Sequence, residues 1–513
     1  MSIKTTPLFV LFAVSVVTLL HAALFNVQFD DSFISFHYAR NLSEGNGLVF
    51  TGAGRVEGFS SILWVLLLAA ASSLGIPPET ASKVFGATAG LGCLLVTFLL
   101  SQKIIKNRVI SFLPIVLLSA SGVFTVWIFS GMESCLAILL LISIPFLIMD
   151  DLNPITPSFL LSLLILVRPE GFIYLVPVLL IGLNRRKRGQ WYLRMFLLPV
   201  LTFGVLTLFR MSYFGDILPN TYYVKSQTPS FEDFVAGLEY LVRFGWTLAG
   251  PFALLWVPGM ISWYKADKYF AFFAILWGGT TVLFVFLSGG DFFPYFRFAA
   301  FQLPTAVIIL TAGLDAVYER MKQQRFGTKP MPASLIALAV GAGLLAFAVR
   351  GSVRGKEHRV FHEWEKAEVF RTEVGRWLGA TADKQWMMAI NPSGIIPYYS
   401  GLKTIDMLGL NNRHIARKGS LNRQLQVGHR KGDGRYVLES QPNLLILGSV
   451  TPTDHFQTGV IDSSSMLVSD RQIVSSEEFK EQYRDTVVQL PSSGELFRFF
   501  IRNENQKVSS SSR

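Results

Sequence analysis

The chain has 513 residues, 51% of them hydrophobic and only 16% charged, with a mean hydropathy of +0.42. Ordinary soluble domains carry roughly a quarter charged residues, so this composition excludes a purely soluble enzyme and points to a membrane protein. The formal charge of +11 and the pI near 9.5 do not imply nucleic acid, because most Lys and Arg of residues 1–350 sit in short links between apolar stretches, where topology accounts for them.

In chain order, apolar segments able to cross a bilayer lie near 7–25, 84–101, 109–128, 134–149, 155–167, 170–183, 194–210, 245–263, 269–288, 299–318 and 332–349, about eleven in all. The first is longer than the core of a signal peptide and has no convincing small-residue cleavage site before Asp30, so it reads as a transmembrane helix. One more run, Phe59–Leu74, is settled by charge. The basic links are Lys4, Lys103–Arg108, Asn184–Arg194, Tyr264–Lys268 and Glu319–Lys329. They share the cytoplasmic side only if Phe59–Leu74 does not cross, so that run is expected as a juxtamembrane helix on the outer side. The same topology gathers most Asp and Glu of 1–350 on the outer face. Positive-inside behaviour depends little on acids, whereas an outward-facing active site requires them.

Charge density roughly doubles beyond Arg350. The expected division is a transmembrane catalytic domain over 1–350, an extracytoplasmic soluble α/β domain over 351–505 and a disordered tail over 506–513. In the second, Gln385–Ile390, Lys403–Leu408, Pro442–Gly448, Arg484–Leu490 and Leu496–Arg502 are strand-like, and Glu363–Leu378 is an amphipathic helix. Cys93 and Cys135 lie in apolar stretches and form no disulfide or metal framework. No nucleotide-binding or common hydrolase motif occurs, and His358 and His362 lack the surroundings of a catalytic zinc site.

Five polar clusters fall at outer ends of spans. The first loop holds Asp30, Asp31, His37, Arg40 and Glu57, and Asp31–Leu42 reads as a short amphipathic helix along the interface. Acids also suit a helix N-terminus, so one carboxylate can cap while the other reacts. Ser130–Ser134 places Glu133 at the entry of a helix. In Val167–Gly171, Arg168 and Glu170 flank a proline, as a turn pair or as functional charges near membrane depth. Tyr213–Ser226 combines Asp216 with Asn220, Tyr222, Tyr223 and Lys225, whose amide, phenol and ammonium donors suit a lipid-linked phosphate, or else form an aromatic belt with a snorkelling lysine. Ser288–Phe298 sets Asp291 and Arg297 among aromatic rings that stack on sugars or anchor in the interface. In the tail, Asp406 and His414 either touch an acceptor glycan or hold the fold.

An acidic pair in the first outer loop, then "SFHYARNL", "GNGLVF", "RVEGFSSILW", "GMES", "RPEG", "LPNTYYVK" and "GGDFFPYFRF", together resemble the multispanning GT-C glycosyltransferases that use polyprenyl-phosphate sugars. Within them the chain looks most like the bacterial branch containing the terminal β-(1→2)-arabinofuranosyltransferase of mycobacterial cell walls, from about residue 7 to 450, including "IPYYSGLKTIDMLGLNNRHIAR" and "GHRKGDGRYVL". The resemblance implies an α-helical polytopic enzyme of the bacterial inner membrane, with its N-terminus cytoplasmic and its C-terminal domain periplasmic. It would be an inverting transferase, moving a sugar such as arabinofuranose from a polyprenyl-phosphate donor to an extracytoplasmic glycan or protein acceptor. Asp30 or Asp31 would act as the general base. Lys225, with Arg168 or Arg297, would stabilise the departing phosphate. Glu133, Glu170 and Asp291 would position sugar hydroxyls or a divalent cation, and His37, Arg40, Glu57, Asn220, Tyr222 and Tyr223 would complete the substrate site. Membrane lipids are expected partners and nucleic acid is not. The competing class is a transporter or flippase for a lipid-linked or anionic solute, because many spans with charged residues also suit a solute path.

Overall fold

The computed structural model describes residues 6–51, 54–149, 153–225, 229–323, 325–326, 329–330, 333–454 and 466–503, so the expected disordered tail lies outside the described residues. Among the described residues, five helical stretches are long and apolar enough to cross a membrane: Pro78–Ile104, Gly189–Tyr213, Phe231–Ala266, Lys268–Ser288 and Ala333–Thr381. On the helix Gly189–Tyr213, Leu193, Leu197, Leu201, Val205 and Leu208 recur at helical spacing and are half or more exposed, a face that only hydrocarbon solvates well. The protein is a multi-pass membrane protein. Ile110–Ala120, Ser134–Met149, Ile155–Val167 and Pro169–Asn184 are apolar but fall short of the ~20 residues of a straight crossing.

Two segments expected as single spans are broken. Residues 109–128 form a 3-10 turn Ile110–Phe112, a helix Leu113–Ala120 and a four-residue helix Gly122–Thr125. The Ser352 hydroxyl sits in the break, donating to the Ala120 carbonyl at 2.8 Å and accepting from the Gly122 amide at 2.5 Å, so the interrupted backbone is satisfied by a side chain. Residues 245–263 divide because the helix Phe231–Ala249 stops at Gly250, whose φ of 51° is left-handed, and Pro251 offers no amide to continue it. A 3-10 turn Gly250–Leu255 and a helix Trp256–Ala266 follow. That last helix meets the helix Leu303–Gln323 backbone to backbone: a Cβ on Gly259 would lie 2.0 Å from the Ile309 carbonyl oxygen, and one on Gly313 1.9 Å from that of Leu255. Small residues at the crossing are what allow this approach.

The chain forms two compact units, each built from three segments. One comprises Met1–Asn26, Ser82–Gly204 and Pro229–Phe361; the other comprises Val27–Ala81, Val205–Thr228 and His362–Arg513. The first outer loop and the segment around Lys225 therefore belong to the same unit as the C-terminal sheet.

That sheet has five strands: β1 Met387–Ile390, β2 Lys403–Asp406, β3 Leu444–Ile446, β4 Tyr483–Gln489 and β5 Leu496–Arg502. Their order is β2-β1-β3-β5-β4, with β1 parallel to β2 and β3, and β5 antiparallel to both β3 and β4. Alternation splits each strand between two cores. Met388, Ile390, Phe497 and Phe499 pack with Phe370, Val374 and Leu378 of the helix Lys356–Thr381 on one face. Ala389, Leu445 and Phe500 pack with Ile415, Val437 and Ile473 on the other. The result is a layered α/β domain.

Candidate functional site

In the sheet-containing unit, Asp30 and Asp31 are the first two residues of the helix Asp30–Ser43, whose N-cap is Phe29 and carries no side-chain cap. Asp30 is spent on the fold. Its carboxylate accepts from the Gly394 amide at 3.0 Å and the Ile395 amide at 2.7 Å, so it caps the helix Ile395–Ser400. Gly394 must be glycine here, because a Cβ would stand 1.9 Å from the Asp30 carbonyl oxygen. The Asp30 amide donates to Glu368 at 3.1 Å, and Glu368 pairs with Arg371 at 2.9 Å. Burial pushes the Asp30 carboxyl above its usual range against the pull of Arg371, and pushes Glu368 up to about 7.

Asp31 differs. It is half-buried, and its carboxylate has no hydrogen bond or ion pair among the described residues. Within its electrostatic reach lies His429, which also feels Lys225 and Arg371. Burial lowers the His429 pKa from the usual 6.5; Asp31 pulls it back up, and the two cations lower it further, so the ring is neutral at neutral pH. One free carboxylate, one neutral imidazole and two cations thus come from residues 31, 225, 371 and 429.

The other first-loop residues are engaged. His37 is buried between Phe50 and Tyr398, and burial together with Arg40 holds its pKa at about 3. The Arg40 guanidinium lies 4.2 Å from the Tyr398 ring centroid and donates to the Tyr398 carbonyl. Glu57 forms a buried fork with Arg210, with contacts of 2.8, 3.0 and 3.1 Å. Asn220 donates to the carbonyls of Gly409 and Leu410 at 2.8 Å each, while its buried Oδ1 has no partner. Tyr223 lies under Arg417 at 4.5 Å, and Tyr222 and Lys225 are exposed. In the tail, Asp406 is buried and accepts from the amides of Leu408, Gly409 and Asn411, a role in its own turn, whereas half-exposed His414 pairs with Asp433 and stacks on Tyr436.

The other unit carries the remaining candidates. Arg168 is buried, with Nη1 3.1 Å from Glu133, Nε 3.5 Å from Glu170 and Nη2 lacking any hydrogen-bond partner. It lines a small cavity of about 20 Å³ with Glu170, Tyr174, Thr280, Thr281 and Phe301. Arg297 is buried between Phe293 and Phe298, 4.3 and 5.1 Å from their ring centroids, and its Nε is unpartnered. It follows Tyr295 and Phe296, whose φ values of 62° and 57° are left-handed conformations that bulky residues adopt only under constraint. Asp291 accepts from the Tyr240 hydroxyl and the amides of Phe293 and Phe298 at 2.9–3.0 Å, and so builds that turn. Among the described residues no three His, Cys, Asp or Glu side chains are grouped as a metal ion would need.

Sequence reasoning missed Arg210, Glu368, Arg371 and His429. Arg210 had a signal, as a lone cation near the end of an apolar segment, where charges are paired or functional. His429 lies in the quoted "GHRKGDGRYVL", but nothing local there ties it to a residue almost 400 positions earlier.

The fold is similar to that of solved proteins of low sequence identity. In particular, it is similar to ArnT from Cupriavidus metallidurans, solved in crystals bound to undecaprenyl phosphate, at 12% identity over 78% of this chain and 86% of that one, with a TM-score of 0.54. The apo form of the same protein matches with a TM-score of 0.53, also at 12% identity, over 79% of this chain and 86% of that one. The arabinofuranosyltransferase AftD from Mycobacteria, solved by cryo-EM, matches 97% of this chain at 10% identity with a TM-score of 0.51, and this chain spans 40% of its length. Residues 359–496 match a family described as a domain of unknown function, DUF8728. No curated protein sequence matches the chain.

Proposed function

We propose that the protein is an inverting membrane glycosyltransferase that moves a sugar, arabinofuranose by preference, from a polyprenyl-phosphate donor to an extracytoplasmic glycan or protein acceptor. The observation that carries this reading is the division of labour in the acidic pair: Asp30 is consumed as a cap, while Asp31, without a hydrogen bond or ion pair among the described residues, lies within electrostatic reach of His429, which also feels Lys225 and Arg371. Support for the donor comes from the undecaprenyl phosphate bound to ArnT, and support for the sugar from the arabinofuranosyl activity in the name of AftD. In this reading the soluble domain is extracytoplasmic, the N-terminus is cytoplasmic and the membrane is the bacterial inner membrane.

Asp31 takes the proton of the acceptor hydroxyl as that oxygen attacks the anomeric carbon, and the bond to the lipid phosphate breaks on the opposite face. Lys225 and Arg371 stabilise the charge that develops on the departing phosphate. Burial makes His429 a weaker proton acceptor than a free histidine.

The test is turnover of a polyprenyl-phosphate pentose by the purified protein, read as released polyprenyl phosphate. Asp31→Asn is expected to lower the rate by at least about a hundredfold with unchanged thermal unfolding. Asp30→Asn is expected to lower the unfolding temperature, because an amide offers one acceptor where two backbone donors need two, a cost of about 1–3 kcal/mol. Full turnover by Asp31→Asn would remove the base assignment.

A further inference from the structure

Helices Phe231–Ala249 and Ala333–Val353 pack against each other, and Gly351 sits so close to Thr247 that an added Cβ would lie 2.9 Å from its carbonyl oxygen. Where they meet, an open cavity of about 390 Å³ is lined by Arg243, Trp246, Phe347, Arg350, Arg354 and Lys356. Among the described residues one carboxylate reaches it, that of Glu357, and it is committed: it pairs with Arg243 and accepts from the Tyr295 amide at 3.2 Å. Arg350 lies against the Phe347 ring, and among the described residues Arg350, Arg354 and Lys356 form no ion pair. Lys356 opens the helix Lys356–Thr381, the end at which the helix dipole disfavours a cation. Arg350 and Arg354 are explained in part by the C-terminal end of their own helix; Lys356 is not.

Three unneutralised cations around one cavity repel one another, and an anion seated among them relieves all three contacts at once. The positive-inside bias does not account for them, because the topology expected from the sequence puts this end of the helix pair outside. The surroundings narrow the anion. Phe231, Phe234, Leu238, Val242 and Trp246 are all exposed and recur at helical spacing, so an apolar strip runs along the same helix into the cavity, where Val242 and Trp246 form part of the wall. A soluble sugar phosphate or nucleotide would leave that strip bare. A molecule with a phosphate at one end and hydrocarbon chains at the other covers both.

We propose that this cavity binds the phosphate headgroup of an anionic phospholipid, with its acyl chains lying along the Phe234–Trp246 strip. Basic pockets between membrane helices recognise such headgroups by this combination of charge and adjacent hydrocarbon. The site is independent of the sugar-transfer chemistry and of the identity of its base.

The experiment is native mass spectrometry of the full-length protein in detergent, titrated separately with phosphatidylglycerol, phosphatidylcholine and inorganic phosphate, with thermal unfolding measured in parallel. Phosphatidylglycerol is expected to be retained in preference to phosphatidylcholine and to raise the unfolding temperature. The joint variant Arg350→Gln, Arg354→Gln, Lys356→Gln should weaken phosphatidylglycerol binding about a hundredfold, at about fivefold per cation, while Arg186→Gln, Lys187→Gln, Arg188→Gln in the other basic link stays within about twofold. If the joint variant fails to fold, Arg354→Gln and Lys356→Gln taken singly, each expected to weaken binding about fivefold, carry the same comparison. Equal retention of the neutral lipid, equal loss in both sets of variants, or inorganic phosphate binding as tightly as phosphatidylglycerol would each overturn the assignment, the last by giving the cavity to a soluble anion.

Discussion

Asp30 and Asp31 are adjacent residues of one chemistry, and what separates them is the presence or absence of backbone donors. The Gly394 and Ile395 amides hold Asp30, and among the described residues no such donor reaches Asp31. Glu57 shows the same principle with the opposite outcome: a carboxylate that reads as a substrate ligand is buried against Arg210. Removing one partner leaves the other as a buried, unpaired charge, so Arg210→Met is expected to destabilise the protein by about 3–5 kcal/mol, whereas Glu57→Leu with Arg210→Met recovers most of that loss. Chemical denaturation of the two variants measures it, and a joint variant as unstable as the single one would show that shape rather than charge holds this corner. The presence of a carboxylate in the first loop was legible in the sequence. Its partner was not, because a side-chain contact across more than 150 positions leaves no trace in local pattern.

At the scale of elements, periodicity did most of the work in the sheet. All five strand-like runs appear as strands, and Glu363–Leu378 lies within the helix Lys356–Thr381, because alternation and helical spacing report directly which face is buried. Periodicity failed inside the membrane domain, where every face of a helix is apolar and a break carries no hydropathy signal. The breaks at Ser121 and Gly250 depend on a distant serine hydroxyl and on a Gly-Pro step. The sheet domain also offers a pH test. Asp470 is fully buried, and although it accepts from Asn391 and from the amides of Leu467 and Gly448, burial pushes its pKa up to about 6. Between pH about 4 and 6 the folded state then holds a proton that the unfolded chain has released, so stability falls as pH rises through this window, by about 3 kcal/mol in all. Asp470→Asn should flatten that part of the profile, read as hydrogen exchange of the β1 and β3 amides across the same pH range. A slope unchanged in the variant would place the titration elsewhere.

For the whole molecule, the testable quantity is topology. Phe59–Leu74 contains the twelve-residue helix Ile62–Ser73, about 18 Å long at 1.5 Å per residue, too short for a hydrocarbon core of about 30 Å. A cysteine at Leu66, itself 45% exposed, is expected to react with a membrane-impermeant maleimide only from the side opposite Lys4, whereas a cysteine at Arg188 reacts only from the side of Lys4. Labelling of both positions from one side would reverse the parity on which the outer face rests. Composition and charge by themselves determined that this is a multi-pass membrane protein with a strand-containing tail, because burial in hydrocarbon and alternation across a sheet are averages over many residues and survive without coordinates. Only the tertiary structure decided which carboxylate stays free, that His429 comes within its electrostatic reach, and that the first loop joins the C-terminal sheet in one compact unit. Those facts depend on single contacts between residues hundreds of positions apart, and no average over neighbouring residues carries them.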